Sequence, residues 1–423
     1  MKIAGIIAEY NPFHNGHEYQ IRKTKEITGA DKVIVCMSGN FLQRGEPAFL
    51  DKFIRTRLAL LGGADFVLEL PVKYSTASAE NFALGGVSIL ESLGCVDYLS
   101  FGCENPNEQL FDKVASVLAN EPPLYREVLD KELRLGKSFP EARQSGVKVC
   151  LMEEAGVIKE AAEEELNNML SEPNNTLALE YYKALKKTCS HIKPVAIKRE
   201  GAGYNQELDK TCKQNDMIYP SAMGIRKLIT DSDYATGLED KLKGLIPDSC
   251  LRELMECLKD NQPVCIDDYS QLIKYKIKQE LSRGESLQKY EDVSEEIENR
   301  IINSIDKMGK ASDFIQEIKT RQYTYTRISR CLIHILLDVK NEEYLPEEDA
   351  YCRILGFRKD ASWLVKQVTE SAKLPVVAKP SAAKNMLEGK AKATFYQDVA
   401  AGELYHIIFQ NEYNEYKTNM VII

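Results

Sequence analysis

The feature that most constrains this chain is the regular alternation of short apolar runs with helical spacing over its first hundred residues. "KIAGIIAEY" (2–10), "KVIVCMSG" (32–39), "FVLELP" (66–71) and "VDYLSFGCE" (96–104) are nearly continuous apolar runs of strand length. Between them lie "NGHEYQIRKTKEIT" (15–28), "DKFIRTRLALLGGA" (51–64) and "SAENFALGGVSILESLG" (78–94), each with apolar residues at helical spacing. Strands that are apolar on both faces and separated by helices predict an α/β fold with a parallel sheet covered on both sides. The pattern turns mostly helical from about 105 to 190, and "IKPVAIKREG" (192–201) reads as a late strand returning to the sheet. Residues 1–232 are therefore expected to form one α/β domain with a helical insertion at about 105–190. Residues 233–423 read as a mainly helical C-terminal domain, with "KLPVVAK" (373–379) and "LYHIIFQ" (404–410) as candidate strands.

In parallel sheets, ligands bind beyond the carboxyl ends of the strands, where strand order reverses. The turn after the first strand is "YNPFHNGH", and it holds two of the five histidines in the chain, His14 and His17. Gly16 between them permits a tight backbone beside a ligand. The helix that follows offers free N–H groups, an anion site. Two imidazoles there suit the charge that builds when phosphorus is attacked. The plainer reading is that they only cap the helix or pack under the sheet. Both lie on a turn outside the apolar runs, so neither is expected to matter for folding. No G-x-x-x-x-G-K-[ST] and no G-x-G-x-x-G follows the first strand, which excludes a P-loop and the dinucleotide fingerprint.

"HNGH" resembles the H-x-G-H signature of the nucleotidyltransferase superfamily, and "SAMGIR" (221–226) resembles its second phosphate motif, of the type S-S-T-x-I-R. Ser221 and Arg226 match that motif, whereas Met223 stands where a hydroxyl is expected. The likeness is closer still. "GIIAEYNPFHNGHEYQI", "MSGNFLQRGEPAFLDKFIRTRLALLGGADFVLELP", "FGCE", "PNNTLALEYYKAL" and "IKTRQYTYTRISRCLIHILL" together resemble the bacterial tRNA(Met) cytidine acetate ligase family, over most of the chain. The resemblance implies a Rossmann-like nucleotidyltransferase domain. It implies activation of acetate by ATP to acetyl-adenylate, then acetylation of N4 of the wobble cytidine of elongator tRNA(Met).

Joining two anions requires positive groups, and the candidates are His14, His17, Arg44, Lys52, Arg55, Arg199 and Arg226. His14, His17 and Arg44 are the expected catalytic residues. Lys52 and Arg55 share a helix face at i, i+3, where a solvated face is the ordinary explanation. The resemblance implies ATP contact by the run Ile7, Ala8, Glu9, Tyr10, Asn11, Pro12, Phe13, His14, Asn15, Gly16, His17, Glu18, Tyr19 and Gln20. It adds Gly102, one of Asn174 and Asn175, Arg199, Ser221 and Arg226. ATP enters as a substrate with Mg2+, and no tightly bound cofactor or protein-held metal is expected.

The net charge is −9, which weighs against a generic nucleic-acid binder. Yet no Asp or Glu occurs from Ile318 to Leu337, where Lys319, Arg321, Arg327 and Arg330 cluster. At helical spacing Tyr323, Arg327, Arg330 and His334 form one stripe, opposite the apolar Ile328, Leu332, Ile335 and Leu336. Lys319, Arg321, Tyr323, Arg327 and Arg330 are the expected tRNA contacts, the tyrosine offering a stacking face. Eleven cysteines include no C-x-x-C pair, so buried free thiols in a reducing cytoplasm are expected. No apolar run reaches the roughly 20 residues of a membrane span. Two other readings share these residues: an adenylyltransferase acting on a small phosphorylated cofactor precursor, and an RNA-binding protein that keeps the fold without catalysis. The first needs little beyond the α/β domain, and the second has no use for the histidine pair.

Overall fold

The computed structural model describes residues 1–155, 166–170, 172–199, 213–214, 217–231, 237–260, 262–409 and 412–423. Five strands follow the expected alternation: β1 (Ile3–Ala8), β2 (Lys32–Ser38), β3 (Phe66–Leu70), β4 (Tyr98–Cys103) and β5 (Lys193–Lys198). They lie side by side in the order β3-β2-β1-β4-β5, all parallel. The order reverses between β1 and β4, so the carboxyl ends of these two strands frame the expected ligand crevice. Beyond β5, a short antiparallel pair, β6 (Lys213–Gln214) and β7 (Met217–Ile218), stands off the sheet.

The late part of the chain does more than form helices. β8 (Cys352–Phe357) pairs antiparallel with β3, and β9 (Val376–Val377) and β10 (Val421–Ile422) pair parallel with β8. Residues on both sides of position 232 thus build one sheet. "KLPVVAK" does contain a strand, β9. "LYHIIFQ" does not: its first residues end the helix Gly389–His406 and the next ones turn, with Gln410 outside the described residues. β8 escapes a reading by apolarity because Arg353 is the second residue of the short run "CRILGF".

Arg353 belongs to a buried charge cluster that joins early and late segments. Lys52 Nζ lies 2.7 Å from Glu69 and 2.5 Å from Glu415, and Arg353 Nη1 lies 3.1 Å and 2.5 Å from the same two carboxylates. Burial works against the Glu415 charge, but Lys52 and Arg353 hold its carboxyl down at about 2. Lys52 and Arg55 are therefore not a solvated face: they are 1% and 0% exposed. Arg55 donates to the carbonyls of Glu9, Ser38, Gly39 and Leu50, tying together the carboxyl ends of β1 and β2. It shapes the crevice from beneath. Lys52→Met should leave Glu69 and Glu415 sharing one cation, costing about 3 kcal/mol or more. Urea unfolding measures this, and a loss under about 1 kcal/mol would show that the cluster relaxes without it.

Among the described residues no cysteine forms a disulfide, but Cys189 and Cys265 are exposed rather than buried, and Cys212 lies outside the described residues. Among the described residues, no helix is long and apolar enough to cross a membrane.

Candidate active site

A cleft of about 260 Å³ opens at the carboxyl edge of β1, β4 and β5. It is lined by Ile7, Ala8, Glu9, Tyr10, Asn11, His14, Gly16, His17, Tyr19 and Gln20 from β1, its turn and the first helix. Gln43 and Arg44 come from the loop after β2, Gly102 from β4, Asn174 from the helix Pro173–Lys187, and Arg199 from just past β5. Ser221, Met223 and Arg226 come from the start of the helix Ala222–Thr230. Elements distant in sequence thus converge on the histidine turn.

The turn is built to fix both imidazoles. His14 is the N-cap of the helix Asn15–Thr28, and its Nδ1 accepts the Gly16 N–H at 3.0 Å. His17 Nδ1 accepts the His14 N–H at 3.3 Å, closing a reciprocal capping box. The rings stack with centroids 3.7 Å apart. A side chain at Gly16 would come within 2.9 Å of the His14 ring, so the glycine makes room for the imidazole. The capping reading and the catalytic reading thus hold together. With Nδ1 of each ring accepting a backbone N–H, the neutral ring carries its proton on Nε2 and can donate only there. Burial, and then the charge of Arg199, lowers the His14 pKa to about 3. Burial, His14 and Arg199 hold His17 well below the usual histidine range. Both shifts favour the neutral ring that donates from Nε2.

Strain and packing support the turn. Tyr10 has φ 48°, a conformation that a bulky residue adopts only at a cost of about 1 kcal/mol or more. Its ring packs on Phe13 at 5.0 Å and on His17 at 4.7 Å. Phe13 is wholly buried, and a side chain at Gly62 would collide with it. Phe13 and Pro12 therefore brace the cleft rather than line it, as does Asn15, whose side chain donates to the Gly244 carbonyl at 2.8 Å. Glu18 also lies off the lining.

The asparagine pair resolves into two roles. Asn175 is 1% exposed and exchanges hydrogen bonds with Glu104: its Oδ1 accepts the Glu104 N–H, and its own N–H donates to the Glu104 carboxylate. Asn174 lines the cleft, donating to Glu104 and accepting from Arg199 Nη1 at 3.0 Å. Gly102 lies against the same arginine, since a side chain there would come within 3.1 Å of Arg199 Cγ. Ser221 Oγ caps its helix by accepting the Gly224 N–H at 3.1 Å, and Arg226 Nη1 donates to the Asn11 carbonyl at 2.8 Å.

Sequence reading missed Gln43, Phe82, Phe101, Tyr181 and Lys198, all of which line the cleft. One signal was present. Asn174, Leu177 and Tyr181 sit at i, i+3 and i+7 on one face of the helix Pro173–Lys187, so the asparagine marks a whole face.

The basic stripe is only partly a surface. Lys319 and Arg321 are exposed and Arg327 half-buried over the Tyr323 ring at 5.2 Å. Tyr323 itself is buried, so it presents no open stacking face. His334 is 0% exposed, its ring nitrogens 3.0 Å from the carbonyls of Glu291 and Thr76. Arg330 makes a two-pronged bond to Asp292 at 2.7 and 3.2 Å. The helix Tyr325–Leu337 packs against the loop that carries Arg44: Ser329 Oγ donates to the Gly45 carbonyl at 2.7 Å. Gly45 has φ 72°, and a side chain there would run into the backbone of Arg330.

Comparison with known proteins agrees with this geometry. A model of the HIGH Nucleotidyl Transferase family matches residues 1–420. A tRNA(Met) cytidine acetate ligase of Caldanaerobacter subterraneus is 36% identical over 97% of this chain and 96% of its own. One from Clostridium perfringens is 39% identical over 93% and 94%. The crystal structure of Thermotoga maritima TmcAL bound with alpha-thio ATP superposes with a TM-score of 0.87 at 30% identity, covering 100% of this chain and 99% of that one. The apo form of that protein gives a TM-score of 0.89. The chain belongs to the HIGH nucleotidyl transferases and, among them, to the tRNA(Met) cytidine acetate ligase family.

Proposed function

We propose that this protein joins acetate to ATP, releasing pyrophosphate and forming acetyl-adenylate, and then transfers the acetyl group to N4 of the wobble cytidine of elongator tRNA(Met). The observation that carries this reading is one cleft that gathers His14, His17, Arg44, Arg199 and Arg226 around the reversal point of the sheet. The fixed Nε2–H donors of the histidines meet negative charge building on the α-phosphate, with no reorganisation during the reaction. Ser221 and Arg226 hold the triphosphate end, where the helix N-terminus adds its own N–H groups. Gly102, Asn174 and Arg199 take the nucleoside side, and Arg44 draws the acetate carboxylate toward phosphorus. ATP is taken as its Mg2+ complex, with the ion held chiefly by the phosphates. Among the described residues, no three His, Cys, Asp or Glu side chains converge to hold a metal.

The tRNA is assigned to the exposed Lys319 and Arg321 and the half-buried Arg327, the last of which lies on the helix that backs onto the Arg44 loop. A small-cofactor adenylyltransferase leaves that arrangement without a purpose. The test supplies ATP, labelled acetate and elongator tRNA(Met), digests the RNA and looks for label on cytidine. Label appearing only with ATP supports the reading, and none in its presence refutes it. Within the phosphate motif, Met223 is 45% exposed on the cleft wall, so Met223→Thr leaves no void. It should be neutral or mildly activating in the same assay, and a large loss would show that the thioether itself packs on the nucleotide.

A further inference from the structure

The cations of the cleft are explained by ATP and acetate, but it also holds an anion. Glu9 is the one carboxylate among the described residues that line it. Glu9 follows β1 at its carboxyl end, and its Oε1 accepts the Gln43 N–H at 2.9 Å. A carboxylate here opposes the binding of two anionic substrates, so their charge does not account for it.

The transfer step does. An exocyclic amine that attacks an acyl-adenylate must lose a proton as the new bond forms. The histidines cannot take it, because Nδ1 of each already accepts a backbone N–H and Nε2 carries the proton. Resting on the ligase reading above, we propose that Glu9 is the general base of acetyl transfer, accepting the proton that N4 of the cytidine loses. The N4–acetyl carbon bond forms, and the bond from that carbon to the phosphate oxygen breaks. AMP leaves with that electron pair, and the proton passes to Glu9 and then to water. Burial raises the carboxyl above the usual range, against the Gln43 N–H and the charges of Arg44, Arg226 and Arg55. Tyr181, itself buried, lies near the same group. A partly buried carboxylate is a stronger base than an exposed one.

The test separates the half-reactions with Glu9→Gln, which keeps an oxygen for the Gln43 N–H. Preformed acetyl-adenylate and tRNA report transfer in a single turnover; acetate-dependent exchange of labelled pyrophosphate reports activation. Transfer should fall by about 100-fold or more, and by at least about tenfold more than exchange does. Wild-type transfer should slow as the pH is lowered through the raised Glu9 pKa, and that dependence should vanish in Glu9→Gln but persist in Glu9→Asp. Transfer by Glu9→Gln within about threefold of wild type, or an equal loss in both steps, would overturn the assignment. If the wild-type protein shows no acetate-dependent exchange, the ligase reading fails and the base fails with it.

Discussion

His17→Ala is expected to cut acetate-dependent pyrophosphate exchange by about 100- to 1,000-fold, the effect of removing one fixed donor from a developing anion, about 2.7–4 kcal/mol. His14→Ala should cost as much activity but is a less clean change. His14 is 5% exposed, caps the helix Asn15–Thr28 and stacks on His17, so its loss should also destabilise the fold by about 1 kcal/mol. Its place on a turn therefore does not make it neutral for folding. His14→Asn supplies a good capping side chain without an imidazole. That variant should recover the lost stability but not the lost rate. Recovery of the rate as well would mean that His14 acts only by holding the turn. Near-normal exchange by His17→Ala would remove His17 from the chemistry.

The second large effect concerns the RNA. Replacing Lys319, Arg321 and Arg327 by Glu puts three negative charges where phosphates are expected to lie. Activation needs no RNA, so exchange should continue at close to the normal rate. Acetylation of tRNA should fall by about 100-fold or more, since tRNA held by phosphate contacts loses most of its affinity when they reverse sign. Single Arg→Ala changes should weaken binding and lower its salt slope by about one unit per lost contact. Arg330 is kept out of this test. Against the cost of burial, its hydrogen bonds and charge hold Asp292 below the usual carboxylate range, so an acid at 330 would meet a buried carboxylate. Arg330→Ala should itself cost about 3 kcal/mol by leaving that charge unpaired. Normal acetylation by the triple variant would send the search for the RNA face elsewhere. Of the remaining basic residues, Arg143 is committed to Glu180 at 2.7 Å and Lys198 lies in the cleft.

What the sequence disclosed and what it withheld divide along physical lines. β1 to β5 were legible because each is a short apolar run bounded by turn residues, and their helices carry the opposite period. The histidine turn was legible because its position after the first strand carries the geometry with it. β8 was hidden because its second residue is a charge, and only the partners Glu69 and Glu415, far away in sequence, make a buried Arg353 tolerable. Lys52 and Arg55 were hidden for the same reason: spacing shows which face a residue takes but not whether that face is covered. The stripe from Tyr323 to His334 failed in part because a basic residue can equally be an internal tie. Asp292 for Arg330, and the backbone carbonyls around His334, come from other segments. Asn174 could be told from Asn175 only once Glu104 and Arg199 were placed around them.

The most direct test of the central claim, that acetate is activated on ATP in the histidine cleft, is exchange of labelled pyrophosphate into ATP with no tRNA present. Wild-type protein is expected to exchange only when acetate is added, and His17→Ala to lose that exchange while still folding. Exchange that proceeds without acetate, or none with it, would contradict the claim.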